Sequence, residues 1–244
     1  MNRWKKRWKK LWYFIWEDNS IWSWIANIVI AFVLIKFIVY PGLGMLLQTS
    51  QPVVAVVSES MEHKSQQRCS GYGYVEFFNY NIKECVQYQN NMCGNSFEEE
   101  KFFPLDEYWK ECGKWYETNM DINKNDFVQF PFKNGFNIGD IMILRGNKPE
   151  NIKVGDIIVF WSNQTNTPII HRVIKKWHEN DGYNFQTKGD NNPISITGQY
   201  LDETKISERQ IVGKAIFRIP LLGYIKIWAV SILNFFKNLI LQKG

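Results

Sequence analysis

The sequence predicts a mainly-β protein: a curved antiparallel β domain behind an N-terminal transmembrane helix, with an irregular insertion and a C-terminal amphipathic helix. Three observations predict it. A twenty-residue run that is almost wholly apolar follows a cluster of cations. Short β-branched runs bounded by turn residues fill the middle of the chain. A polar, cysteine-bearing stretch separates the first of those runs from the rest. An apolar fraction of 45% with 16% aromatic residues excludes an intrinsically disordered chain.

Residues 1–20 form a basic tail expected in the cytoplasm. Arg3, Lys5, Lys6, Arg7, Lys9 and Lys10 stand there against Glu17 and Asp18, a local charge of +4 out of a total of +5. The remainder is nearly neutral, so no basic face is left for nucleic acid, and none is expected as a partner. Residues 21–40 are interrupted only by Ser23, Asn27 and Lys36. A helix of that length spans roughly 30 Å, the thickness of a bilayer core. Apolar character continues to Leu47, giving a transmembrane anchor over 21–47. The tryptophans at 4, 8, 12, 16, 22 and 24 suit an interfacial belt. A cleaved signal peptide is the poorer reading, because the run is too long and no A-x-A site follows it. A core helix would be amphipathic, and this run is apolar all round. The preceding cations put the N-terminus in the cytoplasm. Residues after 48 then face outward from the cell membrane, with membrane lipid as a partner.

Residues 48–218 form the extracytoplasmic domain. Strand-like runs lie at 53–57, 140–144, 156–160, 168–174, 183–188 and 210–217. Ile138-Gly139-Asp140-Ile141 is echoed by Val154-Gly155-Asp156-Ile157. Gly-Asp before a β-branched run is a turn that launches a strand. The insertion at 62–136 is polar, aromatic and Asn-rich, with little clean periodicity, and holds Cys69, Cys85, Cys93 and Cys112. No C-x-x-C pair is present, so a zinc ribbon is a poor reading. An even count in an outward-facing segment fits two disulfides, whose pairing the sequence leaves open. Residues 219–244 are again apolar, with Lys226, Asn234, Lys237 and Asn238 along one stripe. That pattern suits a helix lying in the membrane interface, with a second span as the competing reading.

Val53–Val57 is followed by Ser58-Glu59-Ser60-Met61. A serine just past a buried strand is held rigidly at its end, although a lone serine there is more often a turn residue. His171 interrupts the apolar run 168–174, where a single histidine is more often structural than catalytic. Asp190 lies in the polar turn Thr187-Lys188-Gly189-Asp190-Asn191-Asn192-Pro193, where an aspartate usually caps. Together they offer a nucleophile, a base and an orienter in the order Ser, His, Asp. No nucleotide, haem or metal motif is present, so no cofactor is expected.

With these residues the sequence resembles the type I signal peptidases of the archaeal and endoplasmic-reticulum kind. The resemblance rests on Ser58-Glu59-Ser60-Met61, the two Gly-Asp turns, Ile170-His171-Arg172-Val173 and Lys188-Gly189-Asp190-Asn191-Asn192. Ile211-Val212-Gly213-Lys214-Ala215 and Arg218-Ile219-Pro220 complete it. It implies a signal-peptidase-like β domain with Ser60 as nucleophile and His171 as base. It further implies Asp190 as the family's Lys-Gly-Asp aspartate and Ser58 as an oxyanion-hole hydroxyl. The implied substrates are secretory preproteins cut after small residues at −1 and −3, with the translocation machinery as a further partner. The chain departs from the family at His63, where a proline is usual, and at Ile196, where a second aspartate is usual. The third triad member is therefore expected at Asp190, with Asp202 as the substitute. Two rival readings stand beside this one: a membrane peptidase processing other surface proteins, and an inactive relative that serves as a partner or scaffold.

Overall fold

The computed structural model describes residues 3–77, 80–162, 168–179, 182–224 and 228. They fall into two compact units, Met1–Gln48 and Thr49–Gly244. In the first, the basic tail is helical over Arg3–Trp16. Its tryptophans at 4, 8, 12 and 16 recur every four residues, so they line one stripe and their rings meet in pairs. An apolar helix follows over Ile21–Leu47, long and apolar enough to cross a membrane. Ser20 caps its start by accepting from the Ser23 amide. The two polar interruptions near that start are also satisfied. The Ser23 hydroxyl donates to the Phe14 carbonyl, and the Asn27 amide donates to the Ile15 carbonyl at 2.9 Å. These carbonyls are among those the preceding helix leaves open at its C-terminal end. A π-helical stretch, Ile35–Val39, surrounds Lys36.

The second unit is built on a seven-stranded antiparallel sheet. Its strands are β1 (Val53–Ala55), β5 (Ile141–Arg145), β6 (Ile157–Trp161), β7 (Pro168–Glu179), β8 (Gly182–Lys188), β9 (Ile206–Ser207) and β10 (Ile211–Ile219). Their spatial order is β1-β5-β10-β6-β7-β8-β9. The repeated Gly-Asp turns launch β5 and β6 as expected. Gly139 and Gly155 sit at φ +84° and +93°. A Cβ at Gly155 would lie 2.2 Å from the Phe130 ring, so only glycine fits there. The aspartate after each glycine accepts from the backbone amide three residues earlier, Asn137 or Lys153. β6 is buried on both faces: Ile157 and Val159 join one core with Met61, Met142 and Leu144, while Ile158 and Phe160 join another with Val173, Phe185 and Ile206. Bulges interrupt the β10–β5, β10–β6 and β7–β8 pairings, a device that bends strands.

Among the described residues the insertion forms regular elements, where an irregular segment was expected. It forms a three-stranded sheet of β2 (Gln66–Phe77), β3 (Tyr80–Met92) and β4 (Asn95–Phe97), then helices Leu105–Met120 and Lys124–Val128. Its core gathers Met92, Phe103, Tyr108, Trp109, Cys112, Tyr116, Ile122 and Phe127, with Ile174 of β7 packed among them. The insertion is thus seated on the main sheet. The cysteines pair as Cys69–Cys85 and Cys93–Cys112. The C-terminal helix expected over 219–244 lies, beyond Tyr224 and apart from Trp228, outside the described residues.

Candidate active site

β1 delivers the chain to Ser60. After it, the Val56 amide donates to the Asp140 carbonyl at 2.8 Å, and the Gly139 amide donates to the Val56 carbonyl at 3.0 Å. Val56 and Met61 are buried in the core on either side of a short turn that leaves Ser58 and Glu59 exposed and Ser60 half-buried. The turn is held by a residue far along the chain, the Asn191 amide donating to the Ser60 carbonyl at 2.8 Å. His171 sits on β7 opposite Ile158 of β6. Its Nε2 lies 2.7 Å from the Ser60 hydroxyl, across 111 positions of sequence. Gly189 closes the site at the end of β8. A Cβ there would come within 2.8 Å of the Ser60 carbonyl and 3.0 Å of His171 Nε2. Ser58 stands beside the nucleophile: its hydroxyl lies 3.2 Å from the Ser60 Oγ and accepts from the Ser60 amide at 3.3 Å.

The other ring nitrogen of His171 meets neither expected aspartate. Nδ1 is paired with Glu203 Oε1, inside the fold. Glu203 is the residue that sequence reasoning missed. Its Oε1 also accepts from the Thr187 hydroxyl at 2.8 Å, and its Oε2 accepts from the Ile196 amide at 2.8 Å. Burial alone would raise the Glu203 carboxyl, but His171 and these donors override it and hold it below the usual range. At Ile196, where the resembled family places an aspartate, this chain supplies a backbone N–H to a glutamate seven residues later. Asp202 is turned outward, accepting from the Thr204 amide and hydroxyl at 2.9 and 2.6 Å. With Ser60 and Glu203 on its two nitrogens, the imidazole has no place left for Asp190.

No family model matches this chain. Curated relatives do. A catalytic subunit of the signal peptidase complex, SEC11 of Scheffersomyces stipitis, is 38% identical over 94 residues, which is 38% of this chain and 56% of the relative. SEC11C of Homo sapiens is 34% identical over 94 residues, 49% of its length. SEC11 of Candida tropicalis is 34% identical over the same number, 56% of its length. The homologues are signal peptidase catalytic subunits. The chain spans about half the length of the curated relatives it matches.

In this chain Asp190 belongs to a second buried network. Arg172 follows His171 on β7, and strand alternation sends the two side chains to opposite faces. The Arg172 guanidinium forks onto Asp190, Nε to Oδ1 at 2.8 Å and NH2 to Oδ2 at 2.7 Å. Its remaining donors go to the carbonyls of Pro131, Gly155 and Phe132, each at 2.9 Å, so a fully buried guanidinium is fully satisfied. His63 Nε2 also meets Asp190, at 3.1 Å, while its ring stacks on Tyr108 with centroids 3.6 Å apart. Burial pushes the His63 imidazole below its usual pKa, against the pull of Asp190. Burial would raise the Asp190 carboxyl, but Arg172 and His63 hold it well below the carboxylate range. Lys188 is buried beside them, donating to the Tyr116 hydroxyl and the Gly189 carbonyl, and desolvation lowers it to about 8. Among the described residues no group of three or more His, Cys, Asp or Glu is arranged to hold a metal ion.

Proposed function

We propose that this chain is a membrane-tethered serine endopeptidase that removes signal peptides from secretory preproteins, cutting after small residues at −1 and −3. The observation that carries the reading is the continuous line Ser60 Oγ, His171 Nε2, His171 Nδ1, Glu203 Oε1. A neutral imidazole within hydrogen-bond reach of a hydroxyl can accept its proton as a general base. In the proposed reaction His171 takes the Ser60 proton as the oxygen attacks the scissile carbonyl. The Ser60 amide and the Ser58 hydroxyl, adjacent in the resting site, turn to the oxyanion; one such donor contributes about 2.7–4 kcal/mol in related chemistry. His171 then protonates the leaving amine, and water releases the acyl group from Ser60. Glu203 fixes the ring tautomer and stabilises the imidazolium, the role first expected of Asp190.

β1 ends the order of the large sheet and is paired with β5 on one side. A cleavage segment adding there as a strand would run toward Ser60, main chain to main chain. Gly189, with no side chain, leaves room for the Ser60–His171 contact. The Ile21–Leu47 helix supports membrane tethering, and its cationic flank supports a cytoplasmic N-terminus. Two disulfides suit a catalytic unit on the oxidising side. The relatives are named as subunits of a complex, which makes further subunits and the translocation machinery proposed partners. The experiment is incubation of the full chain in detergent or liposomes with a preprotein bearing Ala at −1 and −3. Cleavage at that junction is expected from wild type and not from Ser60→Ala. Equal cleavage by both would remove Ser60 from the mechanism, and none by wild type would remove the enzyme.

A further inference from the structure

The helix Leu105–Met120 presents Tyr108, Cys112 and Tyr116 four residues apart, on one stripe, all buried. All three converge on the loop that follows β8. The Tyr108 hydroxyl donates to the Asp190 carbonyl at 2.9 Å, and the Tyr116 hydroxyl reaches Asp190 Oδ1 at 3.5 Å. Cys112 is bonded to Cys93, whose amide donates to the Asn191 carbonyl at 2.9 Å. The Asn191 amide in turn donates to the Ser60 carbonyl at 2.8 Å. An unbroken line of contacts therefore runs from the insertion's crosslink, through the backbone of one residue, Asn191, to the backbone of the nucleophile.

The turn that holds Cys93 is itself constrained. Cys93 and Gly94 join β3 to β4 between the paired residues Met92 and Asn95, both at positive φ, +53° and +88°. Such a two-residue hairpin turn favours Asn-Gly, and a cysteine at its first position is held against its conformational preference. The other crosslink differs. Cys69–Cys85 joins β2 to β3 within their hairpin.

We propose that the Tyr108–Cys112–Tyr116 stripe is a positioning element for Ser60, and that the Cys93–Cys112 crosslink makes turnover depend on an oxidising compartment. This rests on the Ser60–His171 peptidase reading. The insertion is thereby a brace of the active site in addition to whatever its outer surface does.

The test compares two crosslink removals in the full chain, using a fluorogenic peptide with Ala at −1 and −3. Cys93→Asn with Cys112→Ala keeps a favourable turn sequence while cutting the brace. Cys69→Ser with Cys85→Ser cuts the other crosslink. The first pair is expected to lower kcat about tenfold to a hundredfold at unchanged KM, as a small displacement of a nucleophile does. The second pair is expected to leave kcat at the wild-type level. Tyr108→Phe should lower kcat in the same direction by less. Equal kcat in both crosslink variants, or a change confined to KM, would overturn the proposal. Should the first pair fail to fold, stepwise reduction of wild type replaces it: kcat must follow the appearance of Cys93 and Cys112 thiols and not those of Cys69 and Cys85. Should wild type cleave no peptide, the peptidase reading fails by itself. The brace is then judged on hydrogen exchange at the Asn191 amide, which must quicken when Cys93–Cys112 is cut; unchanged exchange would refute it.

Discussion

Two buried histidines in this fold each face a buried carboxylate, and their settings suit different uses. His171 and His63 are both 4% exposed, and the side chains of Glu203 and Asp190 are wholly buried. The difference lies at the second ring nitrogen and at the carboxylate's other partners. His171 Nε2 opens onto the hydroxyl of half-buried Ser60. His63 has its ring covered by Tyr108, and its Nδ1 has no hydrogen-bond partner among the described residues. Glu203 accepts otherwise from neutral donors, so His171 is the ionisable side chain bonded to it. Asp190 already has a guanidinium forked onto it. A histidine–carboxylate pair is therefore not in itself a catalytic base. In the proposed mechanism it becomes one where the free nitrogen faces a hydroxyl at the site and where the carboxylate gains from a proton arriving on the ring.

The largest break in this comparison comes from the reactive pair. Ser60→Ala and His171→Ala should each lower kcat roughly 10⁴–10⁶-fold, and the double variant should be no worse than either alone, since groups that act as a unit are not additive. Single-turnover cleavage of a preprotein checks this. A double variant that multiplies the two losses would mean that serine and histidine act separately.

Next come the two carboxylates, whose removal should separate activity from stability. Glu203→Gln should cost up to about 10⁴-fold in kcat, because the amide no longer selects the ring tautomer or balances the imidazolium. Asp190→Asn should be felt first in folding. It leaves Arg172 as an uncompensated buried cation, a loss of about 3–5 kcal/mol when one member of a buried pair is removed. Denaturant unfolding beside steady-state kinetics tests both. If Asp190→Asn lost the larger part of kcat while its unfolding curve stayed in place, the orienter would be Asp190 after all.

A smaller effect concerns pH. Burial lowers the folded-state pKa of His63 below the 6.5 of a free imidazole, so the unfolded chain binds that proton more readily than the folded one. Stability from this residue is complete above about 6.5 and is lost as pH falls from there through the folded pKa. Thermal melts of wild type and His63→Gln between pH 8 and pH 5 should show wild type losing ground on the acid side. Parallel curves would mean that His63 binds its proton equally in both states, and wild type gaining ground on the acid side would mean that it is charged in the fold, bridging Asp190 as a cation.

How much of this was legible in the sequence follows from the range over which each feature is specified. Ser60 and His171 were legible because each interrupts or ends an apolar run, and because their neighbours match short motifs. The Gly-Asp turns were legible for the same local reason. The insertion was not. The apolar face of the helix Leu105–Met120 consists of Tyr, Trp and Cys, which reads as mixed polarity although these side chains are buried. Glu203 was illegible for a different reason. Nothing beside it marks it out, and its role exists only because the chain returns to lay it against Thr187 and Ile196. Asp190 was misread through the opposite error: its motif is local and specific, but the motif fixes a loop and says nothing of which imidazole that loop serves.

The smallest expected effect sharpens the last point. Ile196→Asp restores the residue type that the resembled family carries there, and position 196 meets Glu203 through its backbone, its amide donating to Oε2 and its carbonyl accepting from the Glu203 amide, each at 2.8 Å. Its side chain is 40% exposed. As a single change it should shift stability by less than about 0.5 kcal/mol, as exposed substitutions do. In the Glu203→Gln background it should fail to restore kcat, because a half-exposed carboxylate cannot balance a buried imidazolium as Glu203 does. Full rescue would show that the loop between Ser195 and Glu203 can turn residue 196 inward, and that either position can serve His171. Absence of rescue would fix the exchange of aspartate for glutamate as a change of backbone position, with the old site reduced to a backbone partner of the new one.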